Sequence, residues 1–438
     1  MKKIEGKLLK TIYTSDIINM EEGKTIEIIG WVYNKRIHGN LLFIDLRDSK
    51  GIIQITIKKG IASDKSIEIV KEINKESSIK VLGIVKKDPR APNGVEIICK
   101  EIEVIGPSYQ EFPIKPGAGT RFLFDNRHLY LRSRKVSAIM KIRSAFLDAA
   151  REWFKKNDFI EIDCPIFITA ACEGGATLFP VDYFGKKVYL SQSVQLYQEA
   201  AIYGLEKVYS IQPSFRAELS RTRRHLTEFW QIEAEIAFAK LEDIMVIQED
   251  LLNHIVHTLA EKCIEEFKIL GKKIDEKIAE PPYERITYDE ALEILHKNGV
   301  KIEWGDDFGA DEEKVLCNQF EKPFFVTHYP RKAKAFYHMP DKERPEVVRC
   351  VDLLAPKGYG EISGGGQRIH DYEELIESIK LFNLNPKDYE WYIDLRKYGS
   401  VPHSGFGLGV ERTLRWLLEL PHIRSACLFP RTPSRVYP

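Results

Sequence analysis

Five short apolar runs between Thr25 and Gly106 constrain the fold of this chain more tightly than any other feature of it. TIEIIGWVY, LLFIDLRD, GIIQITI, SIKVLGIV and VEIICKEIEVI alternate at a period of two, and turn formers such as His38-Gly39-Asn40, Ser49-Lys50-Gly51 and Asn93-Gly94 separate them. That pattern predicts five strands, each burying one face, closed into a small barrel over residues 1–106. Between the third and fourth runs, ASDKSIEIVKEINKE has helical spacing instead.

The stretch that follows has no periodicity. PSYQEFPIKPGAGTR holds three prolines and two glycines, so residues 107–131 read as a linker or hinge and residues 132–438 as a second, larger domain. Within that domain Ile139, Phe146, Ala149 and Trp153 recur at helical spacing from Val136 to Lys156, and FIEIDCPIF predicts a strand that meets Pro165. A chain of 438 residues, 44% hydrophobic, has room for two or three such domains.

Charge and cysteine usage exclude several classes. Lys and Arg equal Asp and Glu at 65 each, yet the first 100 residues hold 19 basic against 13 acidic side chains, a bias that fits contact with a polyanion. No run approaches the roughly 18 apolar residues of a membrane span, and MKKIEGKLLK has no apolar stretch behind it, so a cytoplasmic location is expected. Seven scattered cysteines without a CxxC pair indicate buried thiols, with neither a disulfide framework nor a zinc site.

Two segments carry the chemistry. Pro213 to Trp230 reads PSFRAELSRTRRHLTEFW, and Gly405 to Arg412 reads GFGLGVER. The planar guanidinium groups of Arg216, Arg224 and Arg412 can grip phosphate oxygens in pairs or stack on a purine, which lysine could not do, and Glu218 and Glu361 are their anionic counterparts. Asp352 and Glu361 lie nine residues apart in VRCVDLLAPKGYGEISGG, hard oxygen donors on two adjacent apolar strands that suit Mg²⁺. The GGG run between Glu361 and Gln367-Arg368 lets backbone approach a ligand closely.

In combination these segments resemble a class II aminoacyl-tRNA synthetase of the aspartyl, asparaginyl and lysyl subgroup, over essentially the whole chain down to LFPRTPSRVYP. The resemblance implies an α+β multidomain protein: an oligonucleotide-binding (OB) barrel that binds the anticodon, and a catalytic domain built on an antiparallel sheet flanked by helices. It further implies a homodimer whose interface is built by the helix, strand and proline after Val136. ATP is the implied substrate and Mg²⁺ the implied ion. His225, Leu226, Phe229 and Gly409 join Arg216, Glu218, Arg224, Glu361 and Arg412 in the nucleotide site; Asp352 and Glu361 are the metal ligands. Glu173, before paired glycines, is implied to bind the substrate ammonium and Arg368 its α-carboxylate, with Gln195, Gln198, Arg216 and Gly364 completing the amino-acid site. In the barrel, Phe43 is the implied stacking platform and Gln54 the reader of a base edge, with Trp31 and Arg36 nearby.

Which amino acid is loaded turns on one segment. Aspartyl members carry QSPQxxK, whose lysine meets the substrate carboxylate; this chain has QSVQLYQ, with Gln198 in the lysine's place, and Gly364 where aspartyl members carry serine. An amide offers an aspartate no countercharge, at a cost of several kcal/mol, whereas L-asparagine suffers no such penalty. The expected substrates are therefore asparagine and tRNA(Asn). The nearest alternative is an aspartyl enzyme, either strict for tRNA(Asp) or charging both tRNA(Asp) and tRNA(Asn); a paralogue that makes asparagine and a barrel-only binding module are further ones. Neither HIGH nor KMSKS occurs, against a class I synthetase.

Overall fold

The period-two runs of the first unit become a barrel. In the computed structural model, which describes residues 10–39, 41–173, 177–219 and 222–438, the chain divides into two units, Met1–Leu123 and Phe124–Pro438. In the first, β1 (Thr25–His38), β2 (Leu41–Arg47), β3 (Ile52–Lys58), β4 (Ser78–Lys87) and β5 (Val95–Gly106) close in the order β1-β2-β3-β5-β4. Helix α1 (Asp64–Glu72) joins β3 to β4, and its first turn is capped by the Ser63 hydroxyl, which accepts from Ser66 N at 3.2 Å. Ile28, Val32, Ile44, Leu46, Ile53, Ile55, Ile57 and Val81 are fully enclosed, each contributing roughly 1.5–3 kcal/mol by burial. Closure needs Gly83: a Cβ there would stand 2.6 Å from the Ile98 carbonyl oxygen.

Helix α2 (Thr120–Asp125) spans the boundary between the units, and α3 (Arg127–Tyr130) follows it. These helices occupy the end of the stretch predicted as linker. The reason is Arg127: it is 2% exposed and donates to the carbonyls of Cys427 (2.6 Å) and Leu428 (2.9 Å), contacts no local pattern encodes. Helix α4 (Arg134–Lys156) follows as its spacing predicts. The strand expected in FIEIDCPIF shrinks to β6 (Ile160–Glu161), because the chain turns out of the sheet before Pro165; β7 (Phe167–Ile168) joins β8 (Pro180–Tyr183) and β9 (Lys186–Leu190) in a separate small sheet.

After α5 (Gln195–Leu205) come the long strands β10 (Lys207–Phe215) and β11 (Glu228–Ala237) and helix α6 (Leu241–Lys262). Next are β12 (Glu284–Thr287), α7 (Ala310–Cys317), β13 (Phe324–Thr327), β14 (Cys350–Ala355), β15 (Gly360–Gln367), α8 (Glu390–Lys397), β16 (His403–Gly409) and α9 (Val410–Leu417). The main sheet has eight strands in the order β12-β13-β14-β15-β16-β11-β10-β6, antiparallel except for the parallel pairs at its two edges. One face packs on α4 and α6 through Phe146, Phe154, Ile232, Ala234, Ile255 and Phe406. The other face carries the site. The seven cysteines are free thiols, six of them buried and Cys164 half-buried.

Candidate active site and nucleic-acid interface

Strand β11 shows how the site is made. Ile232, Ala234 and Ile236 point into the core, so Gln231, Glu233 and Glu235 project from the opposite face, and all three are buried nonetheless. Room for them comes from the neighbouring β16, which places glycine at every second position: a Cβ at Gly405 would collide with the Glu235 carboxylate. In β15 the register against β14 shifts by a bulge at Ile362, which turns Glu361 and Gly364 toward the same face.

Two cavities lie on this face and share Arg216, Gln231, Glu361 and Gly407. The first brings together all nine residues assigned to the nucleotide: Arg216, Glu218, Arg224, His225, Leu226, Phe229, Glu361, Gly409 and Arg412. Leu226 and Phe229 form an apolar wall with Ile423 and Cys427. Arg412 Nη1 is 2.8 Å from Glu361 Oε2, and Arg224 is held by both oxygens of Glu313, one at 2.6 Å. Burial, together with Arg412 and Arg224, pushes the His225 imidazole down to about 4, so it is neutral at physiological pH.

Among the four arginines that line the cavities, Arg216 differs from the rest. Arg224, Arg368 and Arg412 each hold a carboxylate, whereas Arg216 has none within ion-pair distance among the described residues, and its buried Nε has no hydrogen-bond partner. Burial opposes its charge, but the surrounding carboxylates of Glu173, Glu218 and Glu361 keep it firmly protonated. Its guanidinium lies 5.5 Å from the Phe229 ring centre.

The second cavity contains all six residues assigned to the amino acid, Glu173, Gln195, Gln198, Arg216, Gly364 and Arg368. Glu173 Oε1 accepts from the Tyr337 hydroxyl at 2.6 Å, and Gln192 clamps its backbone from both sides. The glycines that follow Glu173, Gly174 and Gly175, lie outside the described residues, as do Ser220 and Arg221 of the arginine-rich segment. Arg368 gives Nε and Nη2 to Glu235, at 3.1 and 3.0 Å, which leaves Nη1 for a ligand. Gln198 is 1% exposed and its amide nitrogen is taken by the Glu233 carbonyl (2.9 Å) and Ser210 (3.2 Å). It therefore fills its place without presenting charge. Burial pushes the Glu233 carboxyl up to about 7, against hydrogen bonds from Ser193 and Val194 and the pull of Arg216.

Asp352 and Glu361 meet at Gly364. A Cβ on that glycine would stand 3.1 Å from Glu361 Oε1 and 3.3 Å from Asp352 Oδ1, oxygens that no group engages among the described residues; Arg412 and Lys334 occupy the other oxygen of each. Two carboxylates, each with one bare oxygen, suit an Mg²⁺ ion that takes its remaining ligands from phosphate and water. Burial raises the Asp352 carboxyl, while Glu361 is held low, against burial, by Arg412, Lys334 and Arg224.

The site also holds residues that sequence reasoning passed over: Glu233, Glu235, Asp307, Lys334, Tyr337 and His338 line the second cavity or back it. Lys334 pairs with Asp352 (2.7 Å) and Asp307 (3.3 Å). A signal existed for Glu233 and Glu235, namely acids alternating with apolar residues in an otherwise buried strand.

On the barrel, β1, β2 and β3 bring Arg36, Phe43 and Gln54 together. The Arg36 guanidinium lies 5.5 Å from the Phe43 ring centre and its Nη2 donates to Gln54 Oε1 at 2.9 Å; Gln54 Nε2 donates to Glu96 at 3.0 Å. Trp31, 43% exposed, is no core residue, and Arg47 stacks on its ring at 5.6 Å. A half-buried ring with a guanidinium over it and an orientated amide beside it has the chemistry to stack on and hydrogen-bond single-stranded bases.

Comparison with known proteins agrees with this geometry. Residues 120–433 match the model of the tRNA synthetases class II (D, K and N), and residues 26–105 that of the OB-fold nucleic acid binding domain. The chain is 52% identical to the asparagine–tRNA ligase of Thermococcus gammatolerans over 432 residues, which cover 98% of this chain and 100% of that one. Its identity to the enzyme of Pyrococcus abyssi is also 52%, over 435 residues, with the same coverage. The crystal structure of asparaginyl-tRNA synthetase from Pyrococcus horikoshii complexed with asparaginyl-adenylate superposes with a TM-score of 0.96 at 50% identity, over 98% of this chain and 100% of that one. Full-length identity of about half to these enzymes, with the same two domains, settles the family: the chain belongs to the class II tRNA synthetases, in the family of the asparagine–tRNA ligases.

Proposed function

We propose that this protein joins L-asparagine to tRNA(Asn) through an asparaginyl-adenylate, with residues 1–106 as the anticodon-binding domain and 132–438 as the catalytic domain. The observation that carries the reading is Arg216, a cation that lines both cavities and has no carboxylate within ion-pair distance among the described residues. Asparagine lies in the second cavity with its ammonium on Glu173, and ATP in the first, its base against Phe229 and Arg412. The α-carboxylate oxygen attacks the α-phosphorus and pyrophosphate leaves; Arg216 faces both reacting groups and offsets the charge of two approaching anions. Asp352 and Glu361 would hold Mg²⁺, which supplies Lewis-acid polarisation of the phosphates. The terminal ribose hydroxyl of the tRNA then attacks the activated carbonyl and AMP leaves.

The α-carboxylate has to reach the nucleotide, and Arg216 lines both cavities while Arg368 lines the second alone. This favours Arg216 for the α-carboxylate and Arg368, in place of the role its family resemblance implied, for the oxygen of the side-chain amide. The niche around that amide is balanced: Glu235 neutralises Arg368, and Gln198 adds no charge. A homodimer is supported by the apolar side chains that follow α4, where Ile160, Ile166 and Phe167 stand 44, 38 and 50% exposed. Among the described residues no helix is long and apolar enough to cross a membrane, and we place the enzyme in the cytoplasm.

ATP–pyrophosphate exchange with asparagine and with aspartate tests the reading: exchange is expected with asparagine, and a preference for aspartate would shift the assignment to the acidic relative. The preference should also depend on pH. Glu233 has a folded pKa of about 7, above the 4.5 of the free carboxyl, so its contribution to stability is full below about 4.5 and lost as pH rises through 7. Across the same interval it becomes an anion, which accepts from a carboxamide and repels a carboxylate by ~1.4 kcal/mol or more. The asparagine-to-aspartate ratio of kcat/KM is therefore expected to rise about tenfold from pH 6 to pH 8, and a flat ratio would remove Glu233 from selection. In the barrel, Phe43→Ala is expected to raise KM for tRNA about tenfold, the worth of one stacked base, with pyrophosphate exchange unchanged.

A further inference from the structure

Behind the amino-acid cavity lies a carboxylate that touches no substrate. Glu199, next to Gln198 on α5, has a side chain 0% exposed. Its Oε1 accepts from Gln195 Nε2 at 2.9 Å; its Oε2 accepts from the Tyr392 hydroxyl (2.7 Å) and Arg396 Nη2 (2.6 Å) and meets His403 Nε2 at 2.9 Å. The other imidazole nitrogen, His403 Nδ1, stands 2.7 Å from the Val401 carbonyl. A carbonyl oxygen has no proton to give, and burial notwithstanding, Arg396 and His403 keep Glu199 ionised. His403 Nδ1 therefore donates to the Val401 carbonyl, and the ring is enclosed between that carbonyl and the Glu199 carboxylate.

Two main-chain hydrogen bonds tie this cluster to Arg368. Arg396 Nε donates to the Ile369 carbonyl at 2.8 Å, and the Arg368 backbone N–H donates to the His403 carbonyl at 2.9 Å. The chain is thus gripped on both sides of Arg368, while Gln195, on the cavity wall, is held by Glu199 directly. The charges matter as well. Glu199 and Glu235 stand against Arg368 and Arg396, so loss of Glu199 would leave a positive excess beside the niche. A carboxylate substrate would gain from that excess and a carboxamide would not.

Building on the reading of this cavity as the asparagine site, we propose that Glu199 is a positioning residue for amino-acid selection. Through His403, Arg396 and Gln195 it sets Arg368 and the cavity wall, and it cancels positive charge that would admit an acidic side chain.

Pyrophosphate exchange on the full chain, with asparagine and with aspartate, tests it. Glu199→Gln, nearly isosteric, is expected to raise KM for asparagine about tenfold and move the asparagine-to-aspartate ratio about tenfold toward aspartate, with KM for ATP within about twofold of wild type. An unchanged ratio, or an equal loss with both amino acids and ATP, overturns the proposal while wild-type preference for asparagine keeps the functional reading; wild-type preference for aspartate overturns both. Should Glu199→Gln not fold, Tyr392→Phe retains the carboxylate and removes one donor. It is expected to raise KM for asparagine about threefold with ATP unaffected, and no change in KM overturns the proposal.

Discussion

Replacing Arg216 with alanine is expected to lower adenylate formation by about 10²-fold or more, with a smaller effect on KM for either substrate. The size follows from what the residue lacks. Arg224, Arg368 and Arg412 each hold a protein carboxylate, so part of their charge is already answered, whereas Arg216 faces the junction of the two cavities with no such partner among the described residues. Two anions approach each other in the reaction, and their repulsion is greatest as the new bond forms. A fixed guanidinium at that point is worth more in the transition state than in the ground state, and the loss therefore falls on kcat. Stability is expected to fall modestly as well: Glu173, Glu218 and Glu361 outweigh burial in favouring the Arg216 charge, and its removal leaves those carboxylates with less countercharge. Single-turnover adenylate formation at saturating ATP and asparagine checks the rate; a near-wild-type value would mean that charge is supplied elsewhere, from Lys334 or Arg412.

The parts of this site that can be read in the sequence are those where chemistry is concentrated locally. Barrel strands announce themselves through alternation of the kind that buries Ile53, Ile55 and Ile57. The nucleotide side is legible because Arg216 to Phe229 forms the connection between two paired strands and the start of the second, so one short segment supplies six of the nine residues. Lys334 and Asp307 belong to loops whose sequence has no period, and only the sheet brings them beside Asp352. Glu313 is similar: nothing near it in the chain says that it will hold Arg224, which lies 89 residues away. Arg127 shows the same limit for the fold, since composition marked its surroundings as linker while two carbonyls 300 residues distant make it core. Local pattern thus identifies the groups that face substrate better than the countercharges that hold them.

Arg368→Ala is expected to do the greatest combined harm, raising KM for asparagine about 10²-fold and lowering the melting temperature as well. Its partner Glu235 has a side chain 0% exposed, and both hydrogen-bonding nitrogens of the pair come from Arg368. Breaking such a pair by removing one member typically costs about 3–5 kcal/mol, because the other charge stays buried without a counterion. Glu235 already sits above the usual carboxylate range through burial, with Arg368 the main opposing influence, so the variant should take up a proton there at neutral pH. The two effects separate by experiment. Arg368→Ala,Glu235→Gln removes the stranded charge and is expected to recover most of the lost melting temperature, yet not the affinity for asparagine, since no cation then faces the side-chain oxygen. ATP affinity should be untouched in either variant, because Arg368 lines only the amino-acid cavity. Thermal melts alongside exchange kinetics would expose the alternative: if the double variant restores KM for asparagine too, Arg368 is a structural counterion for Glu235, and recognition of the carboxamide must rest on Glu233 and Gln195.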